Sequence, residues 1–288
     1  MINALTVDVE DWYQTSDFHF PIANWHRYED RVVENTRVLL ELFSFYRVKG
    51  TFFTLGCIAE RHPDLVEKIA ADGHEIGSHG GWHQMLHEMS FEQIREDLFQ
   101  SKKILEQISG KPVHMFRAPS WSMSPQRYQV LQVLEELGYL YDSSMQPFRT
   151  PLSGIKGIPI HPFHPVLDGE ALHLVEFPPT VLNIGCMNIP FSGGFYLRAL
   201  PGKFVEWALK RVNEERSGMI YVHPWEIDMD QPRLEASPII RFVHYYNLET
   251  MKNKLERLLQ VFTFSPLGEV IRNHHSFPKV PLYSNGNR

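Results

Sequence analysis

The sequence predicts an α/β fold, a distorted and incomplete (β/α) barrel, on the strength of three observations. Short apolar runs alternate with amphipathic segments, as strands and crossover helices do around a parallel sheet. Helix signals separate the runs: residues 90–93 read Ser-Phe-Glu-Gln, a capping box, and Gly110 ends the helix that it opens. Polar residues able to do chemistry directly follow several runs, and barrel active sites form at the carboxyl ends of strands.

The elements are expected in the following order. Strands are predicted over residues 4–9, 50–55, 74–79, 113–117, near 140 and over 218–223. Helices are predicted over residues 31–46, 63–71, 91–110, 126–137, 201–215 and 247–262. The last helix carries one apolar stripe, made of Leu248, Met251, Leu255, Leu258 and Leu259, and Asn247 is its expected N-cap. Strands joined by such helices run parallel, through right-handed crossovers.

Residues 146–200 interrupt this alternation of strands and helices and contain many prolines and glycines. An irregular insertion inside a compact domain is more often functional than idle. We therefore expect it to carry short β segments and to wall the cleft of a barrel domain formed by residues 1–230. Residues 231–288 are expected to form a C-terminal helical extension packed on the same domain.

The composition is that of a globular protein and argues against several partners. Of the 288 residues, 43% are hydrophobic and 22% are charged, close to globular averages. The net charge is −6 and there is no basic block, so binding to nucleic acid or anionic lipid is not expected. No apolar run approaches the roughly 18 residues of a membrane span. Because the chain enters its first strand at once, without a signal peptide, we expect a cytoplasmic protein.

Three motifs together have the residue types of a hydrolytic metal site. They contribute Asp8, Glu10 and Asp11 at the end of the first strand, His79 and His83 after the third, and Arg117 with Pro119 after the fourth. A divalent ion held by nitrogen and oxygen ligands, with one position open, can activate a water, and a nearby carboxylate can take its proton. This chemistry cleaves esters and amides.

In this order the motifs resemble those of the NodB-homology polysaccharide deacetylases, carbohydrate esterase family four. The family pattern continues with a downstream Asp segment, here Tyr141-Asp142-Ser143-Ser144, and a late hydrophobic-x-His, here Tyr221-Val222-His223. The resemblance covers residues 3–230, and the remainder is similar to the tail of a subgroup associated with bacterial exopolysaccharide loci. It implies a seven-stranded NodB-like barrel and a metal-dependent hydrolase that removes N-acetyl groups from an amino-sugar glycan or its precursor.

The resemblance also implies catalytic roles. Asp8 matches the general base that takes a proton from the attacking water. Arg117 cannot deprotonate, so it can fix the charge and orientation of Asp8, and Asp142 is expected to hold Arg117 in turn.

The late motif supplies the residue that donates a proton to the leaving group. His223 matches the general acid that protonates the leaving amine, and a carboxylate should fix its tautomer, with Glu226 and Asp228 as candidates. A backbone N–H between Pro119 and Trp121 is expected to stabilise the oxyanion.

His79 and His83 match the metal-binding histidines of the family. If the segment from His79 to His83 is helical, the two side chains lie on one face, because they are at positions i and i+4. Two glycines lie between them, so a tight loop could bring the two rings together instead. Family members place the carboxylate ligand directly after the base or one residue further. Glu10 fits the second spacing with one extra methylene, and Asp11 becomes the ligand if the strand end bulges.

The implied cofactor is a divalent metal, with Zn²⁺ expected first and Co²⁺, Ni²⁺ or Mn²⁺ as alternatives. Some relatives with a Glu in this region work without a metal, so a metal-free mechanism stays open.

Four tryptophans adjoin the motifs, and such rings suit the apolar faces of sugars. With Pro119, the expected substrate-binding residues are Trp12, Trp82, Trp121 and Trp225. The implied partner is an N-acetylated glycan or a lipid-linked or nucleotide-linked sugar. Two other functions stay open, because a fold does not choose among them: hydrolysis of another C–N bond, in a small cyclic amide or in peptidoglycan, and non-catalytic glycan binding.

Overall fold

The computed structural model describes residues 1–18, 20–274 and 276–283. Its strands are β1 (Ile2–Val9), β2 (Thr51–Thr54), β3 (Glu75–Ser78), β4 (Met115–Phe116), β5 (Tyr141–Asp142), β6 (His164–Leu167), β7 (Glu170–Ala171), β8 (Val175–Glu176), β9 (Val181–Ile184), β10 (Met187–Pro190), β11 (Met219–Val222), β12 (Thr263–Ser265) and β13 (Lys279–Pro281). Its helices are α1 (Val32–Phe45), α2 (Gly56–Arg61), α3 (Pro63–Ala71), α4 (Phe91–Ser109), α5 (Val130–Glu136), α6 (Gly194–Ala199), α7 (Gly202–Val212), α8 (Pro238–Tyr245), α9 (Met251–Val261) and α10 (Leu267–Arg272).

Seven parallel strands curl into a half-barrel in the order β11-β1-β2-β3-β4-β5-β8. β1 is buried along all but its first residue, because both faces of a parallel sheet are covered. Val7 lies opposite Val222 of β11 and Asp8 lies opposite Phe53 of β2, so these strands end at one edge of the sheet. The predicted fold class is confirmed.

Most helices lie where the sequence predicts them. At the start of α4 the Ser90 side chain accepts the N–H of Gln93, and Gly110 ends the helix in the left-handed conformation, with φ 64°. α5 is shorter than predicted, because residues 125–127 form a separate 3₁₀ turn, and α2 was not predicted at all. In the described part of the chain, no helix combines the length and apolar character needed to cross a bilayer.

The start of the last predicted helix is different from expectation. Asn247 does not cap it: this residue has a left-handed backbone, with φ 59°, and precedes a 3₁₀ turn over Leu248–Thr250. Its side-chain N–H group donates to the carbonyl of Arg198 at 2.7 Å, so a tertiary contact replaces the cap. The predicted apolar stripe is buried throughout, at Leu248, Met251, Leu255, Leu258 and Leu259.

The C-terminal segment contains strands as well as helices. β12 runs parallel to β1, and β13 pairs with β6 of the insertion. From α10, Leu267, Val270 and Ile271 pack in one buried cluster with side chains of the main sheet, among them Ala4 and Met219. Both of these lie near the amino ends of their strands, so α10 covers the end of the half-barrel opposite the strand ends that carry the motifs. Residues 284–288 of the predicted extension lie outside the described residues.

Candidate active site

Seven of the predicted site residues converge at the carboxyl ends of β1, β3, β4 and β11. There they surround a cleft with a volume of about 180 Å³. From the motifs, the cleft is lined by Asp8, Glu10, His79, His83, Trp121, His223 and Trp225. The insertion and the C-terminal segment add Gln146, Thr150, Leu152, Ser153, Gly194, Phe195, Arg198 and Val243 to its wall.

Glu10, His79 and His83 form a cluster able to hold a metal ion. One potential ligand atom from each lies within 4.8 Å of the others. Glu10 Oε2 is 2.6 Å from His83 Nε2 and 3.8 Å from His79 Nε2. The segment between the histidines is a tight loop and not a helix, and His83 itself takes a positive φ of 51°.

Neighbouring groups orient this cluster. The Nδ1 of His79 donates to the carbonyl of Arg117 at 2.7 Å, which leaves Nε2 to face Glu10. The indole N–H of Trp225 donates to Glu10 Oε1 at 3.0 Å, while Oε2 faces the histidines. Both ring and carboxylate are therefore held before any ligand binds.

The charge states also suit a metal. Burial lowers the pKa of His79 to about 4, so its ring is neutral at neutral pH. Burial by itself would raise the pKa of Glu10, but His83, His223 and His79 together bring it well below its ordinary value. Metal ligands must be neutral imidazoles and ionised carboxylates, and two histidines with one carboxylate are a donor set of catalytic zinc sites. The residues present fit a divalent ion.

Asp11 lies in a different environment from Glu10. Its carboxylate accepts the backbone N–H groups of Arg31 at 2.7 Å and Val32 at 2.9 Å, at the amino end of α1. It also accepts the N–H of Trp12 at 2.9 Å. Oδ2 thus caps α1 and Oδ1 binds the backbone of Trp12, so the structure turns Glu10, and not Asp11, toward the histidine pair.

Asp8 and Arg117 form a buried ion pair beneath the cleft. Asp8 Oδ1 is 2.5 Å from Arg117 Nη1, and Arg117 is completely buried. The guanidinium also donates to Thr6 Oγ1 at 3.0 Å and to Ser143 Oγ at 3.2 Å, and it lies 4.1 Å from the centre of the Phe53 ring. A buried pair persists only when its remaining donors are satisfied in this way.

Asp142 does not hold Arg117, which corrects the expectation for the fourth motif. The contact with Arg117 comes from Ser143 instead, because successive residues of an extended chain point to opposite sides. Asp142 Oδ1 accepts the hydroxyl of Ser144 at 2.5 Å, and its carboxyl group is paired with Glu176. Burial raises the pKa of Asp142 to about 6, and burial with the Asp142 charge raises that of Glu176 well above its ordinary value.

His223 pairs with Glu226. Glu226 lies on the 3₁₀ turn after β11, and its Oε2 is 2.9 Å from His223 Nδ1 and accepts the backbone N–H of His223 at 3.0 Å. Nε2 then faces the cleft, 3.8 Å from Asp8 Oδ2. Burial alone would lower the pKa of His223, but Glu226 and the carboxylates of Glu10 and Asp8 raise it to about 9.

Asp228, the other candidate partner of His223, is committed elsewhere. It accepts Arg31 Nε at 2.5 Å, Arg31 Nη2 at 2.9 Å and the Asn35 side chain at 2.9 Å. These contacts tie the turn after β11 to α1. The expectation that Asp228 supports His223 is therefore corrected in favour of Glu226.

The four tryptophans divide into two pairs. Trp121 and Trp225 line the cleft, and Trp121 follows the buried Pro119 in a short turn with a positive φ of 56°. Trp12 is buried in an aromatic cluster and donates its indole N–H to the carbonyl of Glu29. Trp82, with 40% of its surface exposed, lies outside the cleft lining. Trp121 and Trp225 therefore lie at the cleft, but both are largely buried, and the ring of Trp225 stacks on those of His223 and His244.

Sequence reasoning missed the cleft residues that belong to no motif. The proline and glycine content marked the insertion as a whole, but it did not single out Gln146 or Ser153. No local signal identifies Arg198 or Val243, which reach the cleft only through tertiary packing.

Two family profiles match consecutive parts of the chain. Residues 25–141 match the family described as polysaccharide deacetylase, and residues 143–272 match a domain of unknown function (DUF3473). His79, His83 and Arg117 lie in the first part and His223 lies in the second, whereas Asp8 precedes both. The cleft is thus assembled from both matched parts.

Known proteins resemble the chain in sequence or in fold. A peptidoglycan-N-acetylglucosamine deacetylase of Bacillus cereus is 32% identical over 104 residues, 36% of this chain and 47% of that protein. The chain spans less than half the length of such curated relatives.

Solved structures extend the likeness over nearly the whole chain. Puue allantoinase superposes with a TM-score of 0.60 at 16% identity, covering 95% of this chain and 90% of that one. The Bc1960 peptidoglycan N-acetylglucosamine deacetylase superposes with a TM-score of 0.51 at 16% identity, covering 93% and 87%. At such identity the likeness concerns the fold. Residues 25–141 are thus similar in sequence to the polysaccharide deacetylase family, and nearly the whole chain shares its fold with the solved structures named above.

Proposed function

We propose that this protein is a hydrolase that removes N-acetyl groups from an amino-sugar glycan or its precursor. One observation carries the proposal: two proton-transfer pairs, Asp8 with Arg117 and His223 with Glu226, meet across one cleft beside a metal-ligand cluster. The sequence likeness to peptidoglycan deacetylases supports the same reaction class.

Asp8 is the proposed base. Its Oδ1 is engaged by Arg117, so Oδ2 is the oxygen that accepts a proton from the attacking water. The buried guanidinium cannot lose its proton, and it therefore keeps a fixed positive charge beside the carboxylate throughout the reaction.

His223 is the proposed acid. Its Nδ1 proton is held by Glu226, so the proton on Nε2 is the one aimed into the cleft, toward the nitrogen of the acetamide as its bond to carbon breaks. An amine leaves poorly as an anion, and the raised pKa of His223 keeps this proton available at neutral pH.

The oxyanion donor is proposed to be a backbone N–H after β4. Pro119 has no N–H, and the N–H of Trp121 donates to the carbonyl of Ala118 at 3.0 Å. Ser120 lines the cleft and is the remaining residue of that segment. An N–H fixed in a turn stabilises developing negative charge without reorganisation.

Glu10, His79 and His83 are proposed to hold the metal, with Zn²⁺ as the first expectation. When bound, a divalent ion there polarises the acetyl carbonyl and makes a water more acidic. The tightly held Glu10 and His79 support a rigid site, since each of them is fixed by a second hydrogen bond.

The substrate is proposed to be carbohydrate because Trp121 and Trp225 are among the residues that line the cleft, and aromatic side chains suit the apolar faces of sugars. A glycan polymer and a lipid-linked or nucleotide-linked sugar both contain the required N-acetyl group.

The test is acetate release from a panel of substrates, with metal content measured on the same preparation. The panel contains N-acetylated oligosaccharides, peptidoglycan, a nucleotide-linked N-acetyl sugar and, for other C–N hydrolysis, allantoin. Acetate release from a glycan, lost in Asp8→Asn, is the expected result. Hydrolysis of allantoin alone, or glycan binding without acetate release, would overturn the proposal.

A further inference from the structure

Arg198 lies directly behind the proposed acid. It is one of the largest fully buried side chains, with 1% of its surface exposed, and it belongs to α6 in the domain of unknown function. Its Nε donates to Glu226 Oε1 at 2.8 Å, while the other oxygen of Glu226 holds His223 Nδ1. Two hydrogen bonds thus join Arg198, Glu226 and His223 in a continuous line, and Arg198 also reaches the wall of the cleft.

The remaining donors of Arg198 are directed to backbone carbonyls at the end of α8. Nη1 donates to the carbonyls of His244 at 3.0 Å and Tyr246 at 2.7 Å, and Nη2 donates to that of Val243 at 2.9 Å. The last carbonyls of a helix lack partners within it, and a cation is favoured there. Only the forked, planar guanidinium can serve this helix end and Glu226 together.

This arrangement restricts the Glu226 carboxylate. Glu226 is fully buried, and a buried charge needs compensation from close, well-directed donors. Arg198 supplies one from behind and His223 faces it in front. Without Arg198, the carboxylate loses the contact that sets its rotation, and His223 loses the acceptor that fixes which ring nitrogen faces the cleft.

We propose that Arg198 is a positioning residue for His223, acting through Glu226, and that the domain of unknown function thereby completes the active site. The inference rests on the proposed function. It gives that domain a specific role, in which α6 contributes the guanidinium and the end of α8 anchors it.

The test compares two substrates and a matched control. Arg198→Met and Arg198→Lys are assayed on an N-acetylated oligosaccharide and on 4-nitrophenyl acetate, whose leaving group needs no proton. The control is Arg216→Met, since Arg216 is also buried but donates to the carbonyl of Val181 and lines no part of the cleft.

Arg198→Met should lower kcat for the amide about 10- to 100-fold, in the range of lost supporting contacts, and leave ester cleavage within about threefold. Arg198→Lys should show the same selectivity with better folding, because it keeps the buried charge. Arg216→Met should leave the amide-to-ester ratio unchanged. Since Arg198 acts through Glu226, the double variant Arg198→Met with Glu226→Gln should be no worse than Glu226→Gln.

A second readout needs no activity. In ¹⁵N-histidine-labelled protein, the Nδ1 proton of His223 should appear as a hydrogen-bonded signal, assigned by its loss in His223→Ala, and it should shift in both Arg198 variants but not in Arg216→Met. If the wild type releases no acetate, the proposed function fails while this measurement still tests Arg198. An unmoved signal, or equal loss of rate on both substrates, would overturn the inference.

Discussion

Asp8 and His223 face each other across the cleft, with 3.8 Å between Asp8 Oδ2 and His223 Nε2. Each is held from behind by an oppositely charged partner, Asp8 by Arg117 and His223 by Glu226. The two pairs are therefore opposite in polarity, a carboxylate backed by a cation and an imidazolium backed by a carboxylate. A hydrolysis that takes a proton on one side and gives one on the other needs this arrangement.

Replacing the base should stop the reaction on every substrate. Asp8→Asn keeps the shape of the side chain but not its basicity, so we expect about a 10²- to 10⁴-fold loss of kcat on both amide and aryl ester. Thermal unfolding should show a lower Tm as well, because Arg117 loses its buried counter-charge. Activity within threefold of wild type in the folded protein would exclude Asp8 as the base.

Removing the acid should discriminate between leaving groups. His223→Ala is expected to slow amide cleavage strongly and to affect an activated aryl acetate little, since the aryl oxide leaves without a proton. Glu226→Gln should reproduce this selectivity in weaker form. Asp228→Asn is the control, since Asp228 binds Arg31 and Asn35: it should lower the free energy of unfolding and leave the substrate ratio intact.

The metal content of the protein should depend on the cluster of Glu10, His79 and His83. His79→Ala and His83→Ala are expected to lower bound divalent ion and activity together, measured by elemental analysis, whereas the exposed His87→Ala should change neither. Normal activity of both ligand variants after chelation would favour the metal-free mechanism.

Elemental analysis should also show which of the two neighbouring carboxylates, Glu10 or Asp11, binds the metal. Glu10→Gln should lower metal content, because Glu10 faces the histidines. Asp11→Asn should retain metal but unfold at a lower temperature, because Asp11 caps α1 through two backbone N–H groups. The opposite pattern would identify Asp11 as the ligand.

The buried Asp142 and Glu176 pair should make stability depend on pH. Burial raises the pKa of Asp142 from 3.8 to about 6, so between these values the folded state binds more protons than the unfolded state. The free energy of unfolding should therefore fall as pH rises through this window, by up to about 1.4 kcal/mol per pH unit for one proton. Asp142→Asn should flatten the slope, measured by denaturant unfolding at several pH values. An unchanged slope would assign the dependence to other groups.

The fold was predictable because its signals are local. Apolar runs, the capping box at Ser90 and the left-handed glycine at Gly110 each specify an element from a few neighbouring residues. The parallel order of strands follows from the connections, so the motifs could be assigned to one edge of the sheet before the structure was known.

What escaped prediction depends on residues distant in the chain. Asp228 and Arg31 are 197 positions apart, and their ion pair decides that Asp228 cannot serve His223. Asn247 bonds to the carbonyl of Arg198, 49 positions away, and so does not act as a cap. Either Asp142 or Ser143 could contact Arg117, because successive residues at the end of β5 point to opposite sides of the strand. Strand ends predicted from a sequence differ from the real ones by one or two residues, which is enough to exchange these two positions.

The pairing of β1 with both β11 and β12 affects how the chain folds during synthesis. β1 is translated before its neighbours in the sheet, yet Ala4 lies opposite Met219 of β11 and also opposite Ser265 of β12. Contacts of such long sequence separation form slowly, and unpaired strands expose surface that aggregates. A nascent chain that has not yet reached β12 therefore leaves the start of β1 without one of its partners, and the pairing of β1 is complete only after residue 265 has been translated.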